Sequence, residues 1–222
     1  APAFYEVEMP ATICREHLPE IQISLRNAAG KHLGKNLSFY LVDKAGHKVL
    51  EDIVTNGETF RLSAACKALS SGVYYLVVPA QQGAKERRVR FVLFSENDTR
   101  PANSEEKFFA YTRPTNRSDS AFVLIGTPER KATLFYDLVS CDRVIESRQI
   151  SLSDSLVAFS TTYRPDMGDG ATLFFAMVRD GKLYKHEVNI EKPKPEKRLV
   201  LEWESFRSLL EPGQEEEWTL RI

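Results

Sequence analysis

Cysteine is scarce in this chain: Cys14, Cys66 and Cys141 are the only three in 222 residues. An odd number leaves at least one thiol without an internal partner, and none sits in a Cys-x-x-Cys or other metal-ligand spacing. The plain reading is three small apolar residues, with the pairing of any two left open by the sequence. Long apolar runs are missing as well. Nothing approaches the ~20 residues that a membrane-spanning helix needs; the longest stretches, VYYLVVPA at 73–80 and ATLFFAMV at 171–178, have the length of strands. An excess of either charge is absent too. The 30 basic and 31 acidic residues leave a net charge of −1, so the chain has no general attraction for nucleic acid or an anionic bilayer. Neither nucleic acid nor direct membrane insertion is therefore expected. A leader is also not visible, because APAFYEVEMP has no basic start, no apolar stretch and no initiating Met. The expectation is a removed leader or a start inside a longer chain.

The residue groupings that carry chemistry are missing in turn. There is no Gly-x-Ser-x-Gly elbow and no glycine-rich phosphate loop. The Gly168-Asp169-Gly170 stretch reads as a turn before a strand. His17, His32, His47 and His186 are scattered singly, and His186-Glu187 lacks the second histidine of a zinc helix. His186 shares a strand face with Tyr184, Val188 and Ile190, the position of a core-edge or exposed imidazole. RPDMGDG at 164–170 offers two aspartates, too few for a calcium loop. Glu215, Glu216 and Glu217 diverge along a turn and strand start, as a solvated face would. Lys85-Glu86-Arg87-Arg88-Val89-Arg90 places Arg88 and Arg90 on one face and Arg87 on the other. That suits a polar edge strand that blocks aggregation, with a docking patch for an acidic partner as the sharper alternative. Three Asn-x-Ser/Thr matches, at Asn36, Asn97 and Asn116, are short enough to arise by chance. The expected catalytic, cofactor-binding and metal-binding sets are all empty, and the chain is not expected to be an enzyme.

What is present is strand signal from end to end. Hydrophobic residues make up 42% and charged residues 27%, the balance of a folded globular chain. Tyr5, Val7 and Met9 alternate with Glu6 and Glu8, and Ile21, Ile23 and Leu25 alternate with Gln22, Ser24 and Arg26. That period of two marks half-buried strands. The only helix-like stretch in the first half is SAACKAL at 63–69, a turn or two at most. Three hairpins recur in one pattern, each an apolar strand, a short polar turn and a more charged strand. They are LSFYLV with HKVLEDIV, ATLFYDLV with VIESRQISL, and ATLFFAMV with LYKHEVNI. Short strands at regular spacing with little helical period point to an all-β chain of two antiparallel β-sandwiches in tandem.

The expected division is a first sandwich over 1–98, a connection over 99–119 and a second sandwich over 120–196. The second opens near 108 if FFAYT is its first strand. Residues 197–222 are expected to begin a further β module that is cut short, since WTLRI ends on a rising alternation with no partner to follow.

The tail LVLEWESFRSLLEPGQEEEWTLRI at 199–222 resembles a segment of the large bacterial alpha-2-macroglobulin-like proteins, particularly those of the Bacteroides group. The matching residues are Trp203, Phe206-Arg207, Leu210, Pro212-Gly213, Glu215 or Glu217, and Trp218. LSSGVYYLVV at 69–78 is similar to the Gly-x-Tyr entry into a strand of macroglobulin modules. There Gly72 would take a positive φ and Tyr74 would pack inward. IQISLRNAAGKHLGKNLSFYLVDKAGHKV resembles the start of such a module. The resemblance implies macroglobulin- or immunoglobulin-like folds within a large periplasmic or cell-envelope protein, secreted or lipid-anchored. Its relatives entrap proteases through a bait segment, some through a thioester. The working parts are not in this chain: Cys14, Cys66 and Cys141 are not followed by the Glu-Gln that a thioester needs, and no stretch is an obvious bait loop, although 95–120 is long. The expected role is thus structural, through contacts with other modules of the same chain and, in the full-length protein, a protease. An adhesin or a carbohydrate- or protein-binding sandwich is the alternative, and it calls for aromatics exposed on one sheet face.

Overall fold

The computed structural model describes residues 2–195, together with the backbone of two short strands nearer the C-terminus. Residues Ala1–Lys192 form one compact unit, and it is all-β, with two single-turn 3-10 segments and no α-helix among the described residues.

The first sandwich is built from β1 (Ala3–Glu8), β2 (Thr12–Cys14), β3 (Ile21–Asn27), β4 (Asn36–Asp43), β5 (Lys48–Thr55), β6 (Thr59–Phe60), β7 (Gly72–Val78) and β8 (Arg87–Phe94). Three strands form one sheet in the order β1-β3-β6, and five form the other in the order β2-β8-β7-β4-β5. Alternation decides which side chains face inward. Leu37, Phe39 and Leu41 of β4, Leu76 and Val78 of β7, and Phe91 and Leu93 of β8 meet Ile21, Ile23 and Leu25 of β3. Each fully buried Leu, Ile or Phe contributes roughly 1.5–3 kcal/mol relative to exposure. The chain changes sheets at Pro10: β1 pairs with β3, and β2 then pairs in parallel with β8. A proline suits that crossing because it has no N–H to leave unbonded between the sheets.

The second sandwich repeats the plan with β9 (Phe109–Thr112), β10 (Ser120–Thr127), β11 (Ala132–Ser140), β12 (Arg143–Leu152), β13 (Ser155–Thr162), β14 (Gly170–Arg179) and β15 (Lys182–Glu191). Its sheets run β13-β10-β9 and β12-β11-β14-β15. Strand for strand this is the order of the first sandwich without a counterpart of β2, and it is the Greek-key arrangement of immunoglobulin-like folds. Leu134, Tyr136 and Leu138 face Val123 and Ile125, with Leu173, Phe175 and Met177 beside them. The three hairpins expected from sequence are the pairs β4/β5, β11/β12 and β14/β15, all antiparallel. In each, the second strand is the more exposed. Asp180 and Gly181 both take positive φ in the tight turn between β14 and β15.

The corner before β7 is pinned by Tyr74. Its ring is buried, and its hydroxyl donates to the Ser70 carbonyl at 2.7 Å. The inward tyrosine of Gly72-Val73-Tyr74 is thus present, but Gly72 does not take the positive φ expected of it. The strand is entered through the tyrosine's hydrogen bond, without a left-handed residue. SAACKAL forms a single 3-10 turn at Ala64–Ala68, capped by the Ser63 side chain.

Residues Pro193–Ile222 form a separate unit. In it β16 (Glu202–Trp203) pairs antiparallel with β17 (Leu220–Arg221). The remainder of the tail pattern, from Phe206-Arg207 through Pro212-Gly213 and the Glu215–217 run to Trp218, lies outside the described residues.

Candidate functional site

The most elaborate cluster of polar and aromatic side chains lies where the two sandwiches meet. At the end of β8 the alternation stops: Phe91, Val92, Leu93 and Phe94 are all buried. Phe91 and Leu93 face the first core, so Phe94 points out of the opposite face. There it meets the outer face of the second sandwich's three-stranded sheet. Its ring packs edge-on against Phe109 at 5.1 Å and Tyr111 at 4.8 Å. Cys14, Leu124 and Leu156 complete the buried cluster, with Ala102 and Phe122 around it.

A ring of charge closes over this apolar center, with Glu96 as its hub. The Glu96 side chain is only 8% exposed. Arg113 Nε donates to its carboxylate at 2.8 Å, a second Arg113 nitrogen grips its other oxygen, and the Tyr111 hydroxyl donates at 3.1 Å. His17 Nε2 lies 3.1 Å from the same oxygen as Tyr111. Arg113 and Tyr111 belong to the second sandwich and His17 to the first, so one carboxylate holds groups from both. Arg113 holds Glu96 below its ordinary value, and the Tyr111 bond adds to this. Glu16 supports the hub from behind. It accepts from the Glu96 amide at 3.2 Å, the Cys14 thiol at 3.1 Å and the Ser95 hydroxyl. Burial works against its charge, but these bonds together bring it below the usual value. Asp98 accepts from the Ser95 amide at 2.9 Å and the Ser71 hydroxyl at 2.7 Å, with Arg15 3.7 Å away.

Chemically this is a clasp. The Cys14 thiol is pushed up to about 11 by burial and by its bond to Glu16, so it stays protonated and is a poor nucleophile. Burial likewise raises the Tyr111 phenol. All three cysteines are free thiols, Cys14 and Cys66 buried and Cys141 exposed.

The connection between the sandwiches is fastened along its length. Thr99 O accepts from Leu156 N at 2.9 Å, Arg100 pairs with Asp154, and Lys107 O accepts from Thr127 Oγ1 at 2.5 Å. Asn103 is buried, and its side-chain oxygen accepts from the Glu105 amide.

The residues singled out in the sequence fall elsewhere, Cys14 and His17 excepted. His186 is half-buried on the inner side of β15, with Nε2 2.7 Å from Thr112 Oγ1. Burial lowers its pKa. Arg88 and Arg90 share a face as expected: Arg88 covers the Tyr75 ring at 5.5 Å, and Arg90 pairs with Glu105 at 3.0 Å. Asp166 pairs with Arg164 and Asp169 with Lys192. Among the described residues no three His, Cys, Asp or Glu side chains gather into a cation cage. No helix among them is long and apolar enough to cross a membrane.

One further surface is unusual. Phe135, Phe174, Val178 and Leu183 are exposed on the outer face of β11, β14 and β15. Val178 lies directly opposite Leu183, while Phe135 and Phe174 are diagonal neighbors across the β11/β14 pair.

The chain matches no protein-family model and no curated protein. Several solved structures resemble it weakly. An alpha-2-macroglobulin from Salmonella, reacted with methylamine, is 14% identical with a TM-score of 0.36, over 86% of this chain and 15% of that one. The BSP domain of a biofilm-associated protein is 15% identical with a TM-score of 0.29, over 83% of this chain and 29% of that one. A tetra-tandem repeat from the extending region of a large adhesion protein is 9% identical with a TM-score of 0.28, over 86% and 48%. The chain therefore spans less than half of each of these three proteins.

Proposed function

We propose that this chain is a rigid, non-catalytic pair of modules within a large cell-envelope protein of the alpha-2-macroglobulin-like kind. Its role there is to hold neighboring modules in fixed relation while the full-length protein entraps a protease. The supporting observation is the junction: two immunoglobulin-like sandwiches joined by a buried aromatic cluster, a carboxylate clasp and a fastened connection. A flexible tether needs none of these. The resemblance of 69–78 to the Gly-x-Tyr strand entry of macroglobulin modules adds to the reading. The proposed partners are other modules of the same chain and, through the assembled protein, a protease; the proposed location is the periplasm or cell envelope. The test is to incubate the full-length parent with a panel of proteases. Entrapment leaves cleavage of small chromogenic peptides intact while protecting large protein substrates. Equal loss of both activities, or of neither, overturns the reading.

The exposed strip of Phe135, Phe174, Val178 and Leu183 favors a second reading, an adhesin-type binding module, because aromatics on an open sheet face are what such a module presents. A glycan or extracellular-protein array that binds the wild-type chain and loses binding with Phe135→Ser and Phe174→Ser supports that reading. Binding unchanged by both substitutions removes it.

A further inference from the structure

We infer that the junction is an acid-released clasp: protonating Glu96 frees the two sandwiches to move independently while each remains folded. The geometry places the partly buried, partnered carboxylates at the junction and keeps them out of the cores, where His186 is a half-buried titratable group of the second sandwich. The buried polar residues of the described chain are Ser24, Asn56, Ser95, Asn103, Thr127 and Ser140. None of these is ionizable, so acid has no buried carboxylate to neutralize inside either core. Of the exposed carboxylates held low by a partner, Asp43 with His47, Asp119 with Arg117 and Asp166 with Arg164 are local fastenings, while Asp180 with Lys107 ties the connection to the second sandwich alone. Glu16 and Glu96 differ because they are partly buried and join separate elements. The groups that face Glu96 are His17 and Glu16, with Arg15 and the Cys14 thiol beside them, from the end of β2 and the loop after it, Tyr111 and Arg113 from β9 and the residue after it, and Asp98 from the turn that carries Glu96.

The sign follows from linkage. Glu96 is held below the 4.5 ordinary for glutamate, so it favors the docked arrangement above that value. The contribution is lost as pH falls through the docked-state value. Protonation then weakens the charge-assisted bonds by which Arg113 and Tyr111 of the second sandwich hold Glu96. The clasp therefore opens as pH falls through that value.

The test is backbone 15N relaxation of the intact chain from pH 7 down to pH 3, read beside amide chemical shifts in each core. The expected result is one tumbling time for residues of both sandwiches at neutral pH. It divides into two shorter times in acid, while core shifts such as those of Leu41 and Leu134 stay dispersed. Glu96→Gln, which keeps the shape but removes the charge, is expected to show the divided times already at pH 7. A single tumbling time that persists until the cores themselves unfold overturns the inference. So does a well-folded Glu96→Gln chain that tumbles as one body. If Glu96→Gln does not fold, the wild-type titration alone decides.

Discussion

At the residue scale, two positions carry more than their side-chain size indicates. Asn56 is buried and binds backbone groups of β3 and of the loop after it. Its oxygen accepts from Leu25 N at 2.9 Å, and its amide donates to Leu25 O at 3.1 Å, Leu33 O at 2.9 Å and Gly34 O at 3.2 Å. Asn56→Ala leaves buried backbone groups without partners, at a cost of about 3 kcal/mol. The denaturant midpoint falls with an unchanged m-value. Gly126 is a glycine for lack of room. A Cβ there would lie 2.0 Å from the Ser155 carbonyl oxygen, and its φ is not in the left-handed region. Gly126→Ala forces β13 away from β10 and costs about 2 kcal/mol, again read by denaturation. His186 adds a pH term. Because burial lowers its folded pKa, the unfolded chain takes up the proton first. Stability therefore declines as pH drops below 6.5 and levels off once the folded imidazole is also charged. His186→Gln removes that part of the slope in unfolding curves measured between pH 8 and pH 5.

At the element scale, sequence pattern was a good guide wherever one face of a strand met water. β4, β11 and β14 alternate in burial as they alternate in hydrophobicity. The all-β class and the three hairpins follow from that. The junction was harder to read because it violates the alternation. FVLF at 91–94 and FVLI at 122–125 are unbroken apolar runs, the signature of strands covered on both faces, and they mark the two surfaces that dock. The ionic half left no sequence signal at all. Glu96 lies 80 positions from Glu16 and 17 from Arg113, so only the folded chain brings them together. Phe109–Thr112 falls in the stretch that composition marks as connection. It is a strand because it pairs with β10 from Val123 to Gly126. The connection itself is a further prediction. Its hydrogen bonds and ion pairs hold residues 99–107 against both sandwiches, so limited proteolysis at neutral pH is expected to spare Arg100 and Lys107. Rapid trypsin cleavage at either residue would contradict the fastened connection.

At the scale of the whole molecule, the junction makes a prediction separate from acid release. Phe94→Ala removes the center of the aromatic cluster, and loss of a fully buried Phe costs about 3–5 kcal/mol. The cost falls on the docking of the sandwiches, since Phe94 is not among the residues of either core. Calorimetry is expected to show one broadened or divided transition in place of a single cooperative one, and X-ray scattering a larger radius of gyration. An unchanged single transition would mean that the ionic clasp suffices to couple the sandwiches.

The crossing at Pro10 gives the molecule a mechanical order. In the first sandwich β2 runs parallel to β8, with Val92 N bonded to Ala11 O and Arg15 N to Phe94 O, both at 2.9 Å. A stretching load that has peeled β1 from β3 passes to the start of β2 and leaves at the end of β8, so it shears these bonds simultaneously. The corresponding place in the second sandwich holds one bond, Glu191 N to Ser118 O at 2.8 Å. Under tension the second sandwich therefore tears open before the first, and the resisting element is the three-residue strand β2.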